Sequence, residues 1–337
     1  MMVNNYLDTV HYFRSLEMPE SIVQEYIQQV EAGAEMPAAF KAAYDSWEKA
    51  KAPMSELLQR TSDIVAGKIS KVPWPFSMLS RVAPVLMPGT ITCLAGQQGA
   101  GKSLFIIQCM FFWLKEGFTC SVLSLESARS EHLERLLSQI ENSSNHANPD
   151  WIKDHQKEHE DAIKRNSEMI DDLGSRIHCE KIQDITYFDV LEYIKRRGQA
   201  KDRIVVIDPI TAADGQGQPW QVDRQLVLAA LNLAETHNMS IIFTTHPTKQ
   251  FLDPDVGHIA GGAAWSRFGQ GVLWLERTGE QEKPVRGCCG TYEAEINRII
   301  HLLKVRSGPG QGMRIGCKFD VESLLLSEKG IILKKEK

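Results

Sequence analysis

A lysine and a hydroxyl placed directly after a glycine-rich turn can do phosphate chemistry. Gly96-Gln97-Gln98-Gly99-Ala100-Gly101-Lys102-Ser103 has that form and fits the pattern G-x-x-x-x-G-K-[ST]. Its glycines let the backbone turn so tightly that successive N–H groups converge on an anion. Lys102 then reaches the β- and γ-phosphates of a nucleoside triphosphate such as ATP, and Ser103 offers its hydroxyl to Mg²⁺. A helix leaving the loop adds the positive end of its dipole beneath the phosphates. A carboxylate for the same metal stands at Asp208, which closes the run Arg203-Ile204-Val205-Val206-Ile207. Such a run reads as a strand buried on both faces, with the acid emerging at its end.

These groups need elements to hold them. Thr90 to Ala95 reads as a buried strand entering the loop, and Leu104 to Lys115 as a largely apolar helix leaving it. Strand and helix patterns then alternate, which predicts a mostly parallel sheet covered by helices. Further strands are expected at 120–125, 177–182, 203–208, 240–245, 271–276 and 298–306. Helices are expected around 131–140, 190–197 and 222–237. The return strand 316–319 follows the turn Ser307-Gly308-Pro309-Gly310, and a short hairpin is expected over 324–335. Residues 142–172 form a charged, solvated helix or insertion. His155 and His159 have the spacing of a metal pair there, but a solvated face accounts for them. Residues 1–66 read as a helical accessory domain, with Leu7, Val10, Phe13 and Leu16 at helical spacing and a second run over 37–64. A linker over 67–88, marked by Pro73-Trp74-Pro75, separates it from a core over 89–337.

Composition narrows the classes. With 43% hydrophobic and 24% charged residues, the chain of 337 is an ordinary globular protein. No apolar run approaches the ~20 residues of a membrane span, and no signal peptide is evident, so a cytoplasmic location is expected. The seven cysteines are odd in number and lack C-x-x-C spacing. They read as free thiols, mostly buried, and the adjacent Cys288-Cys289 cannot readily pair with each other. The net charge of −5 is carried by residues 1–66, which hold ten acids and five bases. Nucleic acid would therefore have to meet local basic loops on a neutral core.

Pro88-Gly89-Thr90, the P-loop, Ser124-Leu125-Glu126, Asp208 and Lys304-Val305-Arg306-Ser307-Gly308 together resemble the RecA-type motor of DnaB-like replicative helicases. His246 with Pro247-Thr248-Lys249 is more similar to plasmid RepA-type hexameric helicases. The resemblance covers about residues 70–325 and leaves the N-terminal helices unmatched. It implies an α/β fold with a RecA-like P-loop NTPase core and a mostly parallel sheet, preceded here by a small helical domain. It also implies an ATP- and Mg²⁺-dependent ring, usually a hexamer, acting on single-stranded DNA. In that family Glu126 would orient or deprotonate the attacking water, and Asp208 would hold Mg²⁺. His246 would sense the γ-phosphate, where the DnaB type usually has Gln. Lys304 and Arg306, two apart on a strand and so on one face, would reach the γ-phosphate of the adjacent subunit.

Two loops of that architecture, 211–221 and 247–265, would face the DNA strand. They and their flank hold Lys249, Arg267 and the aromatics Trp220, Phe251 and Trp265, able to meet phosphates or stack on bases. Asp214, Asp253 and Asp255 dilute that basic signal. The acidic N-terminal helices would repel DNA and suit a protein partner better. A RecA/KaiC-like recombinase or regulatory assembly that separates no strands is the alternative reading. Lys102 is expected to face solvent before nucleotide binds.

Overall fold

An apolar run such as Ile204-Val205-Val206-Ile207 must be covered on both sides when it becomes a strand. The computed structural model places it so, and describes residues 6–50, 53–67, 69–179, 185–215, 219–248 and 253–333. By contacts the chain divides into two units, Met1–Ser70 and Lys71–Lys337.

The first unit is helical: α1 (Tyr6–Ser15), α2 (Glu20–Glu31), α3 (Met36–Ala50) and α4 (Pro53–Val65). The run read over 37–64 is thus two helices, with Pro53 opening the second, where its missing N–H costs nothing. Phe13, Val23 and Tyr26 are fully or almost fully buried. Phe13 meets Tyr26 edge-on with ring centres 5.1 Å apart, and stacks on Phe40 at the same distance.

The second unit opens with α5 (Ser77–Val82), β1 (Thr90–Gly96), α6 (Lys102–Lys115), β2 (Cys120–Ser124) and α7 (Arg129–Glu141). The charged stretch is a set of short helices, α8 (Pro149–Asp154), α9 (Gln156–Arg165) and α10 (Ser167–Ser175). Then come β3 (Ile177–Cys179), α11 (Tyr187–Gln199), β4 (Ile204–Asp208), α12 (Pro219–His237), β5 (Ser240–Thr245) and α13 (Gly262–Phe268). The chain closes with β6 (Gly271–Gly287), β7 (Gly290–Val305), β8 (Arg314–Asp320) and β9 (Leu325–Ile332). One sheet has the order β3-β2-β4-β5-β1-β6-β7-β8-β9, parallel as far as β6 and antiparallel beyond it. Alternate residues of β1 and β4 enter two separate cores. Leu94, Ile204 and Val206 join Phe105 and Trp113 on one face. Cys93, Val205 and Ile207 join Val190, Val227 and Trp265 on the other.

Four expectations change. The expected linker is core from Val72 onward: Val72, Trp74, Phe76 and Leu86 are buried, and Trp74 packs on Phe105 and Trp113. The expected strands 271–276 and 298–306 are the far ends of one long hairpin, β6–β7, turning at Cys288-Cys289. Charged residues and Pro284 conceal it, because β6 is buried only as far as Leu275 and carries mostly polar, partly exposed side chains beyond it. The tail 324–335 supplies the single strand β9, paired with β8, instead of a hairpin. The loop 247–265 contains the start of α13. All seven cysteines are free; Cys93, Cys109, Cys120 and Cys317 are buried, whereas Cys288 and Cys289 are exposed. Among the described residues no helix is long and apolar enough to cross a membrane.

Candidate nucleotide site

The P-loop leaves the sheet between two close neighbours. A Cβ on Gly96 would lie 2.5 Å from the carbonyl oxygen of Leu275 in β6, so only glycine fits there. Gly101 caps α6 with φ of +99°, in the left-handed region that glycine adopts freely. Lys102 opens the helix, yet it does not face solvent as expected, being only 7% exposed. Its ammonium curls back over the loop and donates to the carbonyls of Gly96 (2.8 Å) and Gln97 (3.2 Å). A buried ammonium needs such acceptors. Burial pushes its pKa down to about 8, against the opposing pull of Asp208 and Glu126.

His246 follows β5 and stands between Lys102 and Glu126. Its Nδ1 lies 3.2 Å from Lys102 Nζ, and its Nε2 lies 3.6 Å from Glu126 Oε1. Burial and the Lys102 charge lower the imidazole pKa, with Glu126 and Asp208 opposing. The ring is thus neutral at pH 7, with Nδ1 accepting from Lys102 and Nε2–H turned to Glu126. Asp208 is buried and accepts a hydrogen bond from Thr244 Oγ1 at 2.5 Å. Its peptide bond to Pro209 is cis. β2 is tied to β4 where Leu125 N–H donates to the Asp208 carbonyl at 2.9 Å. Glu126 therefore emerges beside Asp208, with its side chain 53% exposed. The turn beyond is pinned by Ser124 Oγ, which donates to the Ser127 carbonyl (2.8 Å) and lies 2.8 Å from Nε2 of the buried His132.

These side chains wall one cavity of about 290 Å³, with Gln98, Gly99, Gly101, Lys102 and Ser103 on one side and Glu126, Asp208 and His246 on the other. Ser103 and Asp208 offer oxygen donors to it from two elements, the donor type a hard Mg²⁺ ion takes. Arg135 of α7 also lines the cavity. Sequence reasoning missed it, since its only local signal is the (i, i+4) pair with Glu131 at 3.4 Å.

Other candidates lie elsewhere. Lys304 pairs in register with Val272, and Gly271 pairs with Thr92 near the start of β1, whereas the P-loop follows its end. Lys304 and Arg306 are thus at the opposite end of the strands from their own P-loop. Lys304 donates to the Ser266 carbonyl (2.5 Å) and Arg306 to that of Arg267. Burial and the neighbouring Arg306 lower the Lys304 pKa to about 8. Arg267 lies in α13, and its carbonyl is the one that Arg306 meets. Trp265 is not an exposed stacking platform: it is 2% exposed, packs on Phe243 and donates to the Ala260 carbonyl. Lys249 and Phe251 lie outside the described residues, as does the side chain of Trp220, whose backbone lies in the first turn of α12. His155 and His159 do not converge. His155 stacks on Trp151, while His159 Nδ1 faces His146 Nδ1 at 3.1 Å. No cluster of three or more metal-ligating side chains occurs among the described residues.

A family model described as AAA domain matches residues 58–250. Among solved structures, one of an ATPase domain superimposes with a TM-score of 0.64 at 14% identity, covering 83% of this chain and 99% of that one. A DnaB-like replicative helicase, in a structure addressing its interactions with primase, gives 0.63 at 14% identity, covering 94% and 77%. No curated protein matches the sequence. The fold is that of a RecA-like helicase ATPase domain, α/β with a mostly parallel sheet and preceded by helices.

Proposed function

The chain belongs to the AAA domain family, and from that premise we propose that it is an ATP-hydrolysing, ring-forming helicase or translocase on single-stranded DNA. One observation carries the ATPase reading: Lys102, Ser103, Glu126, Asp208 and His246 come from four separate stretches of chain and wall a single cavity. Phosphoryl transfer needs positioning and charge stabilisation more than covalent chemistry. The loop amides and Lys102 hold the β- and γ-phosphates, and Lys102 leaves its loop carbonyls to do so. Ser103 and Asp208 hold Mg²⁺, which neutralises charge developing on the phosphate oxygens. Glu126, exposed at the cavity wall, orients the attacking water and takes its proton. His246 touches both Lys102 and Glu126, so its contacts change when phosphate draws Lys102 away.

The helicase reading is supported by the likeness in fold to replicative-helicase motors and by Lys304 and Arg306, which lie at the opposite end of the strands from their own P-loop. A neighbouring subunit, in a hexamer or similar ring, gives them a γ-phosphate to reach. The first unit, acidic and helical, then serves assembly or a protein partner. ATPase activity measured with and without single-stranded DNA, beside strand separation of a forked duplex, tests the proposal. Stimulation with unwinding is expected. Turnover indifferent to DNA, with the fork intact, leaves the RecA/KaiC-like assembly as the better description.

A further inference from the structure

Arg298 is a buried cation that the chemistry above does not use. It lies in β7 between Ile296 and Ile300 on the same face, where an apolar side chain would cost less, and is only 7% exposed. Its Nε donates to the carbonyl of Ala100 in the P-loop at 3.0 Å. One Nη donates to the Asn297 carbonyl at 2.8 Å, and the guanidinium lies 4.9 Å from the ring centre of Phe319. Phe319 is held in turn, its N–H donating to Asn297 Oδ1 (2.7 Å) and its carbonyl accepting from Asn297 Nδ2 (2.9 Å). The planar cation is therefore fixed in orientation by β7 and β8 before it meets the loop.

The bond falls between two glycines of the loop. Ala100 stands between Gly99 and Gly101, with φ of +74° and +99°. Glycine enters or leaves that region at little cost, so local sequence does not lock the Ala100–Gly101 peptide. A trans peptide is planar, and its C=O and N–H point in opposite directions. Anchoring the Ala100 oxygen on Arg298 thus turns the Gly101 N–H away from the sheet, towards the cavity that Gly101 lines.

We infer that Arg298 is a positioning residue for the nucleotide site, holding the Ala100–Gly101 peptide so that one phosphate-binding donor is aimed before nucleotide arrives. The inference rests on reading the P-loop as that site. Preorganised donors bind more tightly because ordering is not left to the binding step. Loss of one charge-assisted bond should weaken nucleotide binding on the order of tenfold. Saturated turnover should change less, since Lys102, Glu126 and Asp208 stay in place.

The test uses full-length Arg298→Met and Arg298→Lys, with a fluorescent ADP analogue for affinity and amide hydrogen exchange of the nucleotide-free protein. Exchange is expected to rise selectively over residues 97–103 in Arg298→Met, with weakened affinity. Arg298→Lys keeps the charge but cannot both lie flat on Phe319 and reach Ala100, so it should show a smaller change of the same kind. It carries the test should the Met variant fail to fold. Unaltered P-loop exchange and affinity in a folded variant overturns the inference, and so does exchange rising throughout the sheet with no local excess. Lys102→Ala, measured alongside, separates the two readings. If it still binds nucleotide normally, the site assignment fails, and P-loop exchange alone then decides the role of Arg298.

Discussion

Lys102 is held by two carbonyls of its own loop and by His246, and this determines how binding responds to pH. Its pKa of about 8 lies below the ordinary lysine value of 10.5, so the ammonium is still the main form at pH 7. A bound triphosphate adds negative charge beside it and raises the pKa back towards that ordinary value. The complex should therefore take up a proton on forming above pH 8, and affinity should fall as pH rises from there. Calorimetry in two buffers of different ionisation enthalpy detects the uptake; heats that do not depend on the buffer count against it. Glu126→Gln should leave ATP binding intact, because the carboxylate is half-exposed and supports little else. Its turnover should fall by roughly 10²–10⁴-fold, the usual contribution of general-base catalysis. Equal loss of binding and turnover would make Glu126 a structural residue.

The segment before β1 decides where the ATPase unit begins. Trp74 donates its ring N–H to the Ala83 carbonyl and packs on Trp113, whose own ring N–H donates to the Pro73 carbonyl. Burying each large apolar side chain is worth about 1.5–3 kcal/mol. Losing Trp74, Phe76, Leu79 and Leu86 together would remove a total comparable to a domain's whole stability of roughly 5–15 kcal/mol. A fragment of residues 71–337 should thus melt cooperatively and bind ATP, whereas one starting at residue 89 should not fold. Circular dichroism melts and nucleotide binding on the two fragments check this. A well-folded 89–337 fragment would return residues 71–88 to the status of a linker.

At the scale of the whole molecule, the proposed ring raises the question of which subunit each cation serves. Lys304 and Arg306 lie level with the start of β1 and the P-loop follows its end, so in the proposed ring they would serve a neighbour's phosphate instead of their own. Losing an arginine finger costs on the order of 10³-fold or more in turnover. Arg306→Ala should assemble and bind ATP but hydrolyse it that slowly. Mixed with Glu126→Gln it should regain activity at interfaces that join an intact Glu126 to an intact Arg306. Mixed assemblies with no recovered turnover, or full activity in Arg306→Ala alone, would end the trans-acting assignment.

The sequence by itself determined what depends on short range. The P-loop, the runs ending in Asp208 and His246, and the alternation of strand and helix all follow from local pattern, because turn chemistry and burial on both faces act over a few residues. The tertiary structure alone decided what depends on meetings between distant residues. It buries Lys102 against His246, brings Arg135 to the cavity, sets Arg298 behind Ala100 and hides Trp265 in the core. No periodicity encodes such a meeting, since each partner reads locally as an ordinary surface or core residue. The β6–β7 hairpin stayed hidden for a related reason: its strands are specified by pairing with each other, and the polar side chains on their open faces carry no strand signal of their own.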